Sequence, residues 1–129
     1  MIYLSDIRDF LKTVFKAEHY YIGKLDNKQD KSLGVYTLKG NGAPVTAIGT
    51  QSTYDIIGVS LLLHWNNNAN ETEVTARTLY EKLRTIKNFK INDKQIYMIE
   101  LLVPEPIDVG TDDKGTYERV IEMNLYYER

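Results

Sequence analysis

The side chains with the widest chemical reach are two histidines, His19 and His64, and the acids of the stretch VPEPIDVGTDDKGTYERV at residues 103–120. Imidazole and carboxylate together are the raw material of a metal site or of acid–base catalysis. Their spacing argues against both. The histidines stand far apart, with no HxH or HxxxH pair to place two imidazoles on one ion. A calcium loop counted from Asp108 needs an oxygen ligand at its third position, glycine at its sixth and glutamate at its twelfth. The chain offers Gly110, Asp113 and Arg119 there. Asp112 and Asp113 before Lys114 and Gly115 read instead as a tight turn, where Asp bonds nearby backbone and Gly accepts a positive φ. Pro104 and Pro106 remove ladder donors and end the strand before them. The stretch is expected to turn the chain, with no metal and no cofactor.

Other catalytic chemistry fares no better. The chain has no cysteine, which excludes disulfides, thiolate nucleophiles and cysteine-ligated zinc. No serine sits in a GxSxG elbow. The GNG at residues 40–42 is followed by neither GK[ST] nor a GxGxxG pattern. Carboxylates are too common to single out a glycosidase pair. The reading is therefore not an enzyme. Sixteen basic and eighteen acidic residues are interspersed for a net charge of −2, which argues against a dedicated duplex binder. No apolar run approaches the ~20 residues that span a bilayer. The opening MIYLSDIRDFLK mixes acids with its apolar residues and does not fit a signal peptide. No membrane partner is expected.

The elements that would position these side chains follow from periodicity. With 129 residues and 43% hydrophobic composition, the chain is expected to form one domain over residues 1–129. SDIRDFLKTVFK places Ile7, Phe10, Leu11 and Val14 on one helical face, with Ser5 as N-cap and Asp6 at the positive end. EHYYIGK and SLGVYTLKG read as two antiparallel strands around the polar LDNKQDK. GNGAPVTAIGTQS is a long loop or an irregular edge. YDIIGVSLLLHWN is the clearest strand. Ile57, Val59, Leu61, Leu63 and Trp65 form an apolar face for the helices, while Ile56, Gly58, Ser60, Leu62 and His64 form a mixed face open to close packing.

NNNANETEVTARTLYEKLRTIKN is a second helix with Asn70 and Glu73 as a capping box and a buried stripe of Ala76, Leu79, Tyr80, Leu83 and Ile86. KQIYMIELLV is apolar on both faces, which marks an interior strand. In TYERVIEMNLYYE, Tyr117, Ile121, Met123, Leu125 and Tyr127 alternate with outward Glu118, Glu122 and Asn124. The order α-β-β-β-α-β-β predicts an α+β fold: a twisted, mostly antiparallel sheet with two helices packed on one face. Ten tyrosines exceed what one interior can hold. Tyr20, Tyr21, Tyr36, Tyr54, Tyr126 and Tyr127 cannot all point inward. Surface tyrosine favours protein–protein contacts; ordinary strand tyrosine is the alternative.

GVSLLLHWNNNANETEVTARTLYEKL at residues 58–83 resembles the strand-then-helix centre of small phage minor capsid proteins. PEPIDVGTDDKGTYERVIEMNLYYE is similar to their closing segment, a proline, then a G-x-D-x-x-G turn, then the last strand. The opening helix and the G-x-G-x-P of residues 40–44 also fit, so the likeness spans residues 4–128. These proteins resemble the tail terminators of long-tailed bacteriophages. The resemblance implies a structural virion protein at the head-proximal end of the tail, assembled in the host cytoplasm. It implies a homo-oligomer, a hexameric ring, that ends tail-tube polymerisation and joins the head. The partners would be the major tail tube protein and a head completion or neck protein, with DNA only passing through. It implies no catalytic residues. Another neck protein, or a non-viral α+β ligand-binding module, would share the same scaffold. A ring needs a heterologous contact, for which Gly40, Asn41, Gly42, Pro44 and Tyr54 are candidate interface or arm residues. Asp108, Asp112 and Asp113 are candidates to line a lumen, where their charge would repel phosphate.

Overall fold

The longest apolar alternation in the chain builds the centre of the sheet. In the computed structural model, which describes residues 2–23, 30–38 and 54–128, β3 (Tyr54–His64) pairs antiparallel along its whole length with β7 (Tyr117–Glu128). Around this pair the strand order is β1-β2-β3-β7-β5-β4, with β6 also pairing β7. The remaining strands are β1 (His19–Ile22), β2 (Ser32–Thr37), β4 (Phe89–Ile91), β5 (Lys94–Leu101) and β6 (Ile107–Thr111). Two helices, α1 (Leu4–Val14) and α2 (Ala69–Thr85), pack on one face. The class and layering are as expected. Two short strands, β4 and β6, are additional.

The core is the apolar face of that central pair. Val59, Leu61 and Leu63 of β3 and Ile121, Met123 and Leu125 of β7 are all buried. They meet Ile7 and Leu11 of α1 and Ala76, Leu79 and Leu83 of α2. Trp65, one step past β3, packs its ring 5.9 Å from that of Phe15. Burying a Leu- or Ile-sized side chain stabilises by about 1.5–3 kcal/mol, so this cluster holds the helices to the sheet.

Local details depart from the expectation in four places. α1 begins one residue before Ser5, and Asp6 caps it by accepting the Tyr3 N–H at 2.9 Å. The cap of α2 is Asn68, whose Oδ1 accepts Glu71 N–H at 3.0 Å, and not Asn70, which lies inside the helix. β1 and β2 run parallel, not antiparallel. A parallel return usually needs a dozen or more residues, but β1 is four residues long and little chain must travel back. Lys31, at φ 53°, receives Glu18 N–H on its carbonyl at 2.9 Å and donates to Trp65 O at 2.7 Å, so the chain re-enters beside the start of β1. Finally, β5 is interior to the sheet but not buried on both faces, since Tyr97 is 57% and Met98 48% exposed. Both helices lie on one side, so an apolar strand here has only one covered face.

Candidate functional site

The sheet face turned away from the helices collects the surplus tyrosines. Residues opposite each other in an antiparallel register share a face. The outward row of β3 (Tyr54, Ile56, Gly58, Ser60, Leu62 and His64) therefore stands beside Glu128, Tyr126, Asn124, Glu122, Val120 and Glu118 of β7. β2 adds Tyr36 opposite Ser60, and β1 adds Tyr21 opposite Gly34. Tyr21, Tyr36, Tyr54 and Tyr126 thus lie on the helix-free face, half-buried. Tyr20 and Tyr127 turn inward: Tyr127 is 6% exposed, and the Tyr20 hydroxyl donates to Phe15 O at 2.5 Å and accepts from Ala17 N at 2.8 Å. The alternation of the strands divides the two groups.

This face is wired by hydrogen bonds and charge. Glu100 Oε1 accepts from the Tyr126 hydroxyl at 3.0 Å and from Asn124 Nδ2 at 3.2 Å. The bond to Glu100, then burial, pushes the Tyr126 phenol above its ordinary value. The Tyr54 and Tyr126 rings lie 6.1 Å apart. Burial, and then the charge of Glu118, raises the Tyr36 phenol likewise.

One end of the face is closed by the acidic hairpin between β6 and β7. Asp112 Oδ1 accepts backbone N–H from Lys114 and Thr116, both at 2.9 Å, and Gly115 N–H reaches Asp112 O at 3.1 Å. Gly115 takes φ +82°, the conformation the turn requires of it. The Thr116 hydrogen bond is the largest cause holding the Asp112 carboxyl below the ordinary value; burial opposes it, while the Lys114 N–H and the charges of His64 and Lys114 add to it. Beneath the turn His64 is fully buried, with Nδ1 3.0 Å from Glu118 Oε2 and Nε2 3.6 Å from Asp112 Oδ2. The two carboxylates sit at opposite corners of the imidazole, so no single ion can bridge them. His19 lies on β1, its ring 6.3 Å from that of Tyr21, and is separated from His64 by Ser32 of β2, which stands opposite both. Among the described residues no group of three or more His, Cys, Asp or Glu could hold a metal ion.

Asp108, Asp112 and Asp113 are gathered at this end of the sheet. Asp108 accepts Gly110 N–H at 2.9 Å and lies 3.7 Å from Arg119 Nη2, which in turn stands 4.0 Å from Glu73 of α2. Asp113 is exposed at the turn. Tyr54 opens β3, opposite Glu128. Gly40, Asn41, Gly42 and Pro44 lie outside the described residues. A shallow hollow along the outer side of α2 is lined by Val74, Arg77, Thr78, Glu81, Lys82 and Thr85, ordinary helix-surface side chains with no convergent acid–base pair.

Sequence reasoning missed an apolar margin. Tyr97, Met98, Leu102, Ile107 and Val109 are exposed, and all five residues of β6 are exposed. The prolines and acids around IDVGT mask its strand character; the alternation of Ile107 and Val109 with Asp108 was the available signal.

Compared with known proteins, the chain fits a family model described as bacteriophage tail terminator protein over residues 3–129. No curated protein matches it.

Proposed function

This chain belongs to the bacteriophage tail terminator family, and from that premise we propose that its copies close a six-membered ring on the finished tail tube. Tail terminators are structural proteins that end the tail and contribute to head–tail joining. On this reading residues 1–129 act as one domain, touching the major tail tube protein on one side and a head completion or neck protein on the other. The ring sits at the head-proximal end of the virion tail after assembly in the host cytoplasm. Gly40, Asn41, Gly42, Pro44 and Tyr54 are proposed to serve contact with the next copy, as interface or arm residues.

The observation that carries this reading is that the family match spans both helices and the whole sheet, from residue 3 to residue 129. A face with four half-buried tyrosines and an exposed apolar margin supports it, because such surfaces favour protein contacts. Asp108, Asp112 and Asp113 are proposed to border the lumen, where like charge lets DNA pass without adhering. Two of the three carboxylates also accept hydrogen bonds within their own hairpin, so the negative charge comes with a fixed loop. Native mass measurement of the purified chain, alone and bound to tail tubes, tests the ring. The expected species has six times the 14.9 kDa chain mass. A species that stays monomeric in both settings overturns it.

A further inference from the structure

Among the described residues the sheet is open at β1 on one side and at β4 and β6 on the other, and β1 and β6 differ in character. We propose that β6 of one copy adds alongside β1 of the next, so that the sheet runs on across the subunit boundary. The inference rests on the ring reading above and names the surfaces that would build it.

β6 is an unfinished edge. Among the described residues it pairs only with β7, and no strand borders its other side. All five of its residues are exposed, including Ile107 at 37% and Val109 at 48%. An exposed apolar edge is a template for another strand, and proteins that must stay single blunt such edges with lysine, proline or a cover. β6 contains neither lysine nor proline. Its blunting features are the charge of Asp108, Pro106 just before it, and the bulge between Asp108 and Gly110, with Gly110 at φ +85°, which confines regular pairing to the Ile107 end. Exposed Leu102, whose N–H reaches Glu122 O at 2.9 Å, carries the apolar margin back toward β5.

β1 is the opposite edge of the same sheet, and among the described residues it pairs only with β2. Tyr21 of β1 lies on the helix-free face, opposite Gly34. Ile107 lies on that face too, opposite Val120. Joining the two margins therefore continues one tyrosine-bearing surface from copy to copy. Closure selects this partner over a second β6, because two like edges pair isologously and stop at a dimer. Lys12, Lys16 and Lys31 flank β1 against Glu18 and Asp30, and on the β6 side Glu105 is paired with Arg77 at 3.2 Å and Asp108 with Arg119 at 3.7 Å. One edge meeting a different edge is the heterologous contact that generates rings.

Cysteine cross-linking of the full chain tests this directly, because the native sequence has no cysteine. Directly opposed residues place their Cβ atoms about 4.5–5.5 Å apart, close enough for a small shift to allow a disulfide. Ile107→Cys combined with Tyr21→Cys in one chain should give a ladder of disulfide-linked multimers on oxidation, alone at high concentration or on purified tail tubes. Each single variant should give none. A second variant, Val109→Lys, should leave the far-ultraviolet circular dichroism of the folded chain unchanged and abolish multimers. If Ile107→Cys alone gives dimers, the edges pair like with like and the proposal is overturned. If multimers form by mass but no double-variant ladder appears, the edge pairing is wrong while the ring reading stands. If no multimer forms by mass, even on tail tubes, both fall.

Discussion

Replacing Asp112 by alanine asks whether the acidic hairpin is part of the fold or merely a charged loop. The carboxylate accepts two backbone N–H groups at 2.9 Å through a single oxygen. Hydrogen bonds to a charged group contribute ~1.5–3 kcal/mol each when sheltered. The Asp112 side chain is 14% exposed, and the Lys114 N–H can regain water after truncation. The pair together is therefore worth about 2 kcal/mol, not the full sum. For a domain of this size that corresponds to a melting temperature lower by roughly 6–10 °C. Asp112→Asn keeps the oxygen acceptor and loses its charge, so about half the effect should remain. Because the folded carboxyl titrates below its ordinary value of 3.8, its contribution is complete above that pH and is lost as pH falls through the lower folded value. The gap between wild type and Asp112→Asn should accordingly close in acid below 3.8. Urea unfolding followed by circular dichroism, repeated from neutral pH into that acid range, reads all three quantities. An Asp112→Ala protein within about 0.5 kcal/mol of wild type would refute the reasoning. So would an Asn variant as damaged as the Ala variant, since the charge facing His64 would then matter more than the backbone clasp.

Other expectations follow from the same geometry. Gly115→Ala meets no atom within 4 Å but must hold φ +82°, so it should cost about 1–2 kcal/mol in urea unfolding. Tyr126→Phe removes the hydroxyl held 3.0 Å from Glu100 and should cost about 1 kcal/mol at neutral pH. The raised phenol keeps its proton more firmly in the fold, so this contribution is complete below 10.0 and lost as pH climbs through the higher folded value. Thermal melts of the two proteins should therefore converge in strong alkali. Reversing two of the hairpin charges, Asp108→Lys with Asp113→Lys, should give the assembled ring a measurable, salt-sensitive affinity for DNA in fluorescence anisotropy where wild type shows none. Equal signals from both would remove these residues from the lumen.

The core and the layering were legible because burial writes itself into periodicity. Leu61 and Leu63 alternate with Leu62 and His64, and Ala76, Leu79 and Leu83 repeat at helical spacing, so each face announced its environment. Strand direction was not legible at β1 and β2. Turn residues between them suit either sense, and the deciding contacts, Lys31 with Trp65 and with Glu18, are long-range or depend on a positive φ. Helix caps slipped because Asn68 and Asn70, or Ser5 and Asp6, are alike in type, and only geometry decides which one reaches an orphan N–H. β6 was hidden because the flanking prolines and acids outweigh the short alternation of Ile107 and Val109 with Asp108, and its pairing with β7 is long-range. Nothing in the sequence paired His64 with Asp112 and Glu118, since the strand register alone brings Glu118 opposite it and the hairpin brings Asp112 over it. The tyrosine surplus was the clearest pointer to the candidate surface; the division of Tyr20 and Tyr127 from the other four needed the faces of the strands.

Electron microscopy of tail tubes assembled without this chain shows whether it terminates them. The tubes should have uncontrolled lengths and no heads attached, and should return to a single length and to head joining when the purified chain is added during assembly. Tubes of uniform length that join heads normally without the chain would rule out a terminator role.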